Sequence, residues 1–197
     1  MPRAKTYSRE SIATETLPHF WECGFHGLSV DELVKLTGIS RHALYAEIGG
    51  KDALYLSVFE VYDRIIVSPA FSVVEDNKDL DSIETYFMHQ IKLAEEKGLP
   101  GPGCLIGNAA IERAPHNREV ARLVTKHNDR LRRGFSTALA NAASGRLRAK
   151  DRDDLADYLV VSAQGLWSVS RTVKEGKPLR NFVRIMMSLV SGRIEQC

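Results

Sequence analysis

Two short apolar patterns at helical spacing are separated by Gly38-Ile39-Ser40, and that interruption limits the folds open to this chain more than any other feature. Val30, Leu33 and Val34 make one stripe, and Leu44 and Ile48 make another at i, i+4. Such periods belong to amphipathic helices, not to strands. Ser29-Val30-Asp31-Glu32 has the form of a capping box. Gly38 suits the left-handed residue that closes a helix, and Ser40 can cap the next one. Ile39 is placed to pack between the two. The pattern predicts helices over 29–37 and 40–47 joined by a tight turn, a helix-turn-helix. Around the second helix, His42 and Ala46 point away from the buried side, with Arg41, Ala43 and Tyr45 flanking them. Plain helical hairpins of an all-α core share this spacing, so spacing alone leaves both readings open.

The rest of the chain also reads as helix. Segment 8–24 carries Ile12, Ala13, Leu17, Phe20 and Trp21 at helical spacing, and Pro18 inside it predicts a kink or one lost backbone bond. After Gly49-Gly50, a longer helix is expected from Lys51 to Val67, ended by Ser68-Pro69 and followed by a polar link from Glu75 to Asp81. Further helices are predicted over 82–97, 103–114, 117–143, 152–175 and 179–195, between glycine and proline breakers. The expected fold is all-α. An N-terminal three-helix helix-turn-helix module occupies residues 1–50, and a larger helical ligand-binding and dimerisation body occupies residues 51–197. The fourth helix bridges them. With 197 residues, 44% of them hydrophobic, the chain can bury a core without disulfides or metal. Cys23, Cys104 and Cys197 are too few and too scattered for a disulfide framework or a zinc module. No leader peptide or membrane-spanning apolar run is visible, so the expected location is cytoplasmic.

A net charge of +2 argues neither for nor against nucleic acid. The local arrangement says more. A recognition helix meets base edges through its N-terminal residues while the preceding helix crosses the backbone. Ala43 and Ala46 permit close approach, and Arg41 can fork onto guanine. Ser29 and Ser40, at helix N-termini, can hold phosphates. The stretch from Phe20 to Leu54 resembles the N-terminal domain of TetR-family transcriptional regulators. The matching pieces are Phe20 four before Gly24-Phe25, then Ser29-Val30, Gly38-Ile39-Ser40, Leu44-Tyr45 and Gly50-Lys51-Asp52-Ala53-Leu54. The resemblance implies a repressor that binds a palindromic operator in double-stranded DNA as a homodimer, released by a small-molecule or electrophilic effector. It implies phosphate contacts at Ser29, Tyr45 and Lys51, and base choice by Arg41, His42 and Ala43. Two departures stand out. Glu47 takes a place where the family often has a basic residue or histidine, costing affinity unless Arg41 or Lys51 pairs with it, and Ile48 replaces the usual phenylalanine.

In the body, segments 155–173 and 179–194 are apolar around more than one face, so each is expected to bury two sides, its own core and a partner copy. The residues expected at that four-helix interface are Leu159, Leu166, Val169, Phe182, Met186, Leu189 and Val190. Residues 101–115 resemble a Gly-Cys-Leu segment that opens the sixth helix in one branch of these regulators. The resemblance implies that signal binding moves this helix and, through the fourth, respaces the two reading heads. Cys104 at a helix N-terminus would be a lowered-pKa sensor of electrophiles if exposed, and inert packing if buried. Cys23, late in the first helix, reads as packing. The pocket is expected among helices five to eight, with candidates Tyr86, Phe87, His89, Gln90, Cys104, Asn108, His127, Asn128, Leu131, Gln164 and Trp167.

From 116 to 150 there are nine Lys or Arg against two acids, either a solvated helix face or a run from which Arg130 reaches inward to an acidic ligand. The six histidines show no metal-ligand spacing, and no phosphate loop or nucleophile elbow is present. No metal, cofactor or enzyme activity is expected. The competing classes are a thiol-reactive helical enzyme using Cys104 with His127 or His89, and a helical adaptor that binds protein.

Overall fold

Pro69, read from sequence as a stop, lies within a helical run that the chain continues. The structure, a computed structural model, describes residues 7–196, and every regular element among them is helical. Cys197 lies outside the described residues. The N-terminal module is α1 (Arg9–Cys23), α2 (Val30–Thr37) and α3 (Arg41–Glu47). The body follows as α4 (Lys51–Tyr62), α5 (Ser68–Asn77), α6 (Leu80–Lys97), α7 (Leu105–Glu112), α8 (Arg118–Ala143), α9 (Ala149–Ser170) and α10 (Lys177–Glu195).

The expected end at Ser68-Pro69 is corrected by a π turn over Asp63–Val67. There the Ser68 N–H reaches back to the carbonyl of Asp63, and Pro69 falls in the first turn of α5, where its missing N–H costs little. The true break comes later, at Lys78 in the left-handed region (φ 56°) and at Asp79, whose carboxylate caps α6 through Ser82 N at 2.7 Å. Glu75 therefore belongs to α5, not to a linker, and the helix expected as the sixth is α7. Pro18 sits on the exposed side of α1, which runs on past it. α9 ends at Ser170, short of the expected 175.

α1 and α4 pack along each other through rings. Phe20 and Phe25 each lie 5.1 Å from Tyr55, and Trp21 meets Tyr62 edge-on at 5.1 Å. α4 thus belongs to the core of the reading module as well as to the body. α8 repeats Val120, Val124, His127, Leu131, Phe135 and Leu139 every three or four residues and buries that face. Phe135 stacks on Phe87 at 6.0 Å and meets Phe71 edge-on at 5.5 Å. Each such side chain taken from water contributes roughly 1.5–3 kcal/mol.

The interface expectation on α9 and α10 divides by helix face. Leu159, Leu166, Met186 and Val190 are buried in the protomer's own core and are not available to a partner. Val169, Phe182 and Leu189 point outward, joined on the same helices by Tyr158, Val161 and Ile185.

Candidate nucleic-acid interface and effector cavity

The second helix of the turn motif is held by its back. Leu33, Ile39, Leu44 and Ile48 are buried, while Arg41, His42, Tyr45, Ala46 and Glu47 are exposed and Ala43 is half-buried. Gly38 takes φ 71°, a left-handed value that a side chain resists, and donates its N–H to Val34 O at 2.9 Å. Both expected caps form. Ser29 Oγ accepts from Glu32 N at 3.1 Å, and the Glu32 carboxylate accepts in turn from Ser29 N at 2.6 Å. Ser40 Oγ accepts from Ala43 N at 3.1 Å. A hydroxyl that accepts a cap bond keeps its own proton to donate, which is what a phosphate oxygen needs.

Arg41 does not pair with Glu47. Its guanidinium pairs with Asp31 on α2. Lys51, at the first turn of α4, lies with Nζ 4.1 Å above the Phe25 ring. Partial burial lowers its pKa, opposed by the carboxylates of Asp52, Glu112 and Glu32.

Sequence reasoning missed the join between module and body. The Glu112 carboxylate, at the end of α7, accepts from the backbone N–H of Phe25 at 2.9 Å and of His26 at 2.7 Å. Gly24 precedes them at φ 73°, which favours glycine, and a Cβ there would come within 2.8 Å of a Glu112 oxygen and push the carboxylate aside. Arg113 pairs with Asp52 at 2.6 Å and lies 4.0 Å over Phe25. The indole N–H of Trp21 donates to Gly103 O at 2.7 Å. The Gly24-Phe25 pair was legible as a motif, but its carboxylate partner is 87 residues away.

The expected pocket residues divide into four groups. Phe87 and Leu131 are fully buried core, and His89 is exposed on α6. These three are corrected out of the pocket. Tyr86, Gln90, Cys104, His127 and Trp167 surround a void of about 10 Å³, with Trp167 Nε1 donating to Gln90 at 3.3 Å. Asn108, Asn128 and Gln164, and again Cys104 and Trp167, line an open groove of about 820 Å³ between α7 and α9, where Gln164 Nε2 donates to Asn128 at 2.8 Å. A third space of about 400 Å³ lies between α4, α7 and α8, and of the expected residues only His127 reaches it. Its other walls, including Phe59, Ile106 and Leu123, were hidden from sequence because they read as ordinary core.

Cys104 is at the N-cap of α7 as expected, but it is buried, and burial pushes its thiol pKa up, outweighing the bonds that favour the thiolate. Of the two readings left open for Cys104, the structure has the buried one. Cys23, expected to pack, is exposed. His127 is 5% exposed, and burial lowers its pKa to about 4. Among the described residues no cluster of three or more histidine, cysteine or acidic side chains has metal-site geometry, and no helix is long and apolar enough to cross a membrane.

Together, an exposed capped second helix and a separate helical body with internal cavities define a helix-turn-helix regulator. Residues 14–58 match the family described as bacterial regulatory proteins, tetR family. The HTH-type transcriptional regulator YezE of Bacillus subtilis (strain 168) is 26% identical over 194 residues, covering 96% of this chain and 100% of that protein. The HTH-type transcriptional repressor ComR of Escherichia coli (strain K12) is 25% identical over 187 residues, covering 93% of this chain and 87% of that protein. A TetR transcriptional regulator from Chloroflexus aurantiacus J-10-FL superposes with TM-score 0.79 at 21% identity, covering 93% of each chain. The regulator CifR, solved with 26-bp double-strand operator DNA, superposes with TM-score 0.79 at 20% identity, covering 94% of this chain and 98% of that one. The N-terminal part of the chain therefore carries the tetR-family module, and the chain as a whole is similar in sequence and fold to regulators of that family.

Proposed function

We propose that this chain is a cytoplasmic repressor that binds a palindromic operator in double-stranded DNA as a homodimer and is released by a small molecule bound non-covalently in the body. The observation that carries this reading is the N-terminal end of α3. It presents Arg41 and His42 outward over a buried Leu44 and Ile48, beside the capped N-termini of α2 and α3. Ser29, Ser40, Tyr45 and Lys51 supply phosphate contacts, and Arg41, His42 and Ala43 supply base contacts. ComR is named a repressor and CifR is solved on operator DNA, which supports the same use of the module here. Residues 1–50 act as the reader and 51–197 as the sensor, with α4 shared between them. The outward faces of α9 and α10, with Val161, Val169, Phe182, Ile185 and Leu189, supply the dimer contact. The chain works by binding, with no turnover. Burial of Cys104 favours a reversible effector over one that attacks the thiol.

Selection of bound fragments from the source genome, followed by footprinting and sedimentation, tests this reading. The expected result is a dimer protecting a near-palindrome with half-sites one helical turn apart or a multiple of it. A monomer in solution, or no enriched sequence, contradicts it.

A further inference from the structure

Arg130, the member of the basic run for which an inward reach to an acidic ligand was the alternative to a solvated face, is engaged within the protein. It grips Glu75 through two bonds at 2.8 and 2.7 Å, and its remaining nitrogen donates to Ser68 at 2.8 Å with Asp63 at 3.5 Å. One turn to either side on α8 stand Lys126 and Arg133, and both line the 400 Å³ cavity. Glu75 is already taken by Arg130, so these two cations remain for a guest. On the opposite wall, Asp63 is shared between Arg130 and Ser68, which leaves Glu60, exposed at the rim, as the second acid. The lining as a whole carries three cations, Lys126, Arg130 and Arg133, against the two acids Asp63 and Glu60. Its floor is apolar: Phe59, Ile106 and Leu123.

The second observation is His127. Both of its ring nitrogens are buried without a hydrogen-bond partner, and the residue lies in the wall between this cavity and the 10 Å³ void beside Trp167. With Asp63 and Arg130 as its charged neighbours and burial dominant, it is neutral near pH 7 and offers one N–H and one acceptor nitrogen. Buried polar atoms without partners are costly, and a guest that supplies one recovers that cost.

We propose that this cavity binds a small organic anion, an apolar body bearing one carboxylate. The body lies on Phe59, Ile106 and Leu123, and the carboxylate reaches Lys126 and Arg133. Its role as effector rests on the repressor reading above. α7 supplies both Ile106 to the cavity wall and Glu112 to the reading module, so occupancy and DNA binding share one helix.

Titration calorimetry on the full chain tests this with benzoate, phenylacetate and octanoate against benzamide and benzylamine. Tryptophan emission gives a second readout, because Trp167 lies 5.8 Å from His127. A carboxylate is expected to bind saturably, and benzamide and benzylamine about tenfold more weakly or worse. The surface double variant Lys126→Gln/Arg133→Gln is expected to lose about tenfold in affinity with its melting temperature kept, and Arg118→Gln, outside the cavity on the same helix, to change nothing. Absence of carboxylate binding, equal binding of benzamide or benzylamine, or an unaffected double variant overturns the proposal. DNA binding is measured on the same samples. Intact operator binding with no carboxylate bound refutes the ligand class alone. Carboxylate bound with no effect on DNA refutes the effector role and leaves the site standing.

Discussion

Replacing Glu112 with alanine removes the carboxylate that ties α7 to the turn after α1. Two bonds at 2.9 and 2.7 Å are lost, both from backbone N–H groups to a charged acceptor. Such bonds contribute about 1.5–3 kcal/mol each where buried. The His26 N–H is exposed and can return to water, whereas the Phe25 N–H is partly enclosed, so the expected total is about 2–3 kcal/mol. In a chain of this size that lowers the melting temperature by roughly 5–10 °C. Glu112→Gln should fall between, since the amide keeps one acceptor but turns its NH₂ toward the other N–H. Hydrogen exchange read at the amides of Phe25 and His26 should accelerate in both variants while α8 stays protected. Operator affinity should drop as well, because the module loses its fixed attachment to the body. A melting temperature within about 1 °C of the parent, with exchange unchanged at both amides, would refute the reasoning and make the contact incidental.

In the free protein Arg41 pairs with Asp31, and both are exposed, so water screens the pair and it adds little to stability. Asp31→Asn should raise DNA affinity a few-fold by freeing Arg41 and removing an acid beside phosphate, while Arg41→Ala should cost roughly 1–3 kcal/mol on cognate DNA and little on scrambled DNA. Equal losses for Arg41→Ala on both duplexes, measured by anisotropy, would remove its base-reading role. Under native conditions iodoacetamide should label exposed Cys23 and spare Cys104 until urea unfolds the chain; equal labelling by peptide mass spectrometry would mean that the N-terminus of α7 is open. His127 is held neutral in the fold, with its pKa lowered from 6.5 to about 4, so the unfolded chain takes up the proton first as pH falls. Its contribution is complete above pH 6.5 and lost toward pH 4, about 3 kcal/mol in all. His127→Leu should therefore flatten that part of the pH–stability curve in urea melts, and an unchanged curve would contradict the assignment.

The turn motif was legible because its signals are local. Ser29, Glu32, Gly38 and Ser40 cap and close helices within four residues, and those caps form as read. The extent of α8 was likewise legible, as 117–143, from the breakers that flank it. Long-range pairings left no such trace. Glu112 meets Phe25, and Arg130 meets Glu75, across 87 and 55 residues. Pro69 misled because a π turn just before it absorbs the missing donor. The pocket list went astray at Phe87, His89 and Leu131 for a related reason: helical spacing marks which residues share a face, but not whether the neighbouring helix leaves a void there. The same limit mixed inward Leu159 and Met186 with outward Phe182 and Leu189.

The most direct test of the central claim is fluorescence anisotropy of the purified chain on DNA from its own upstream region, against a scrambled duplex, at about 50 and 200 mM salt. If the α2–α3 face reads an operator, binding is tight, prefers the native duplex and weakens steeply with salt as phosphate contacts release counterions. If affinity is the same for both duplexes and insensitive to salt, that face does not read DNA and the repressor account fails.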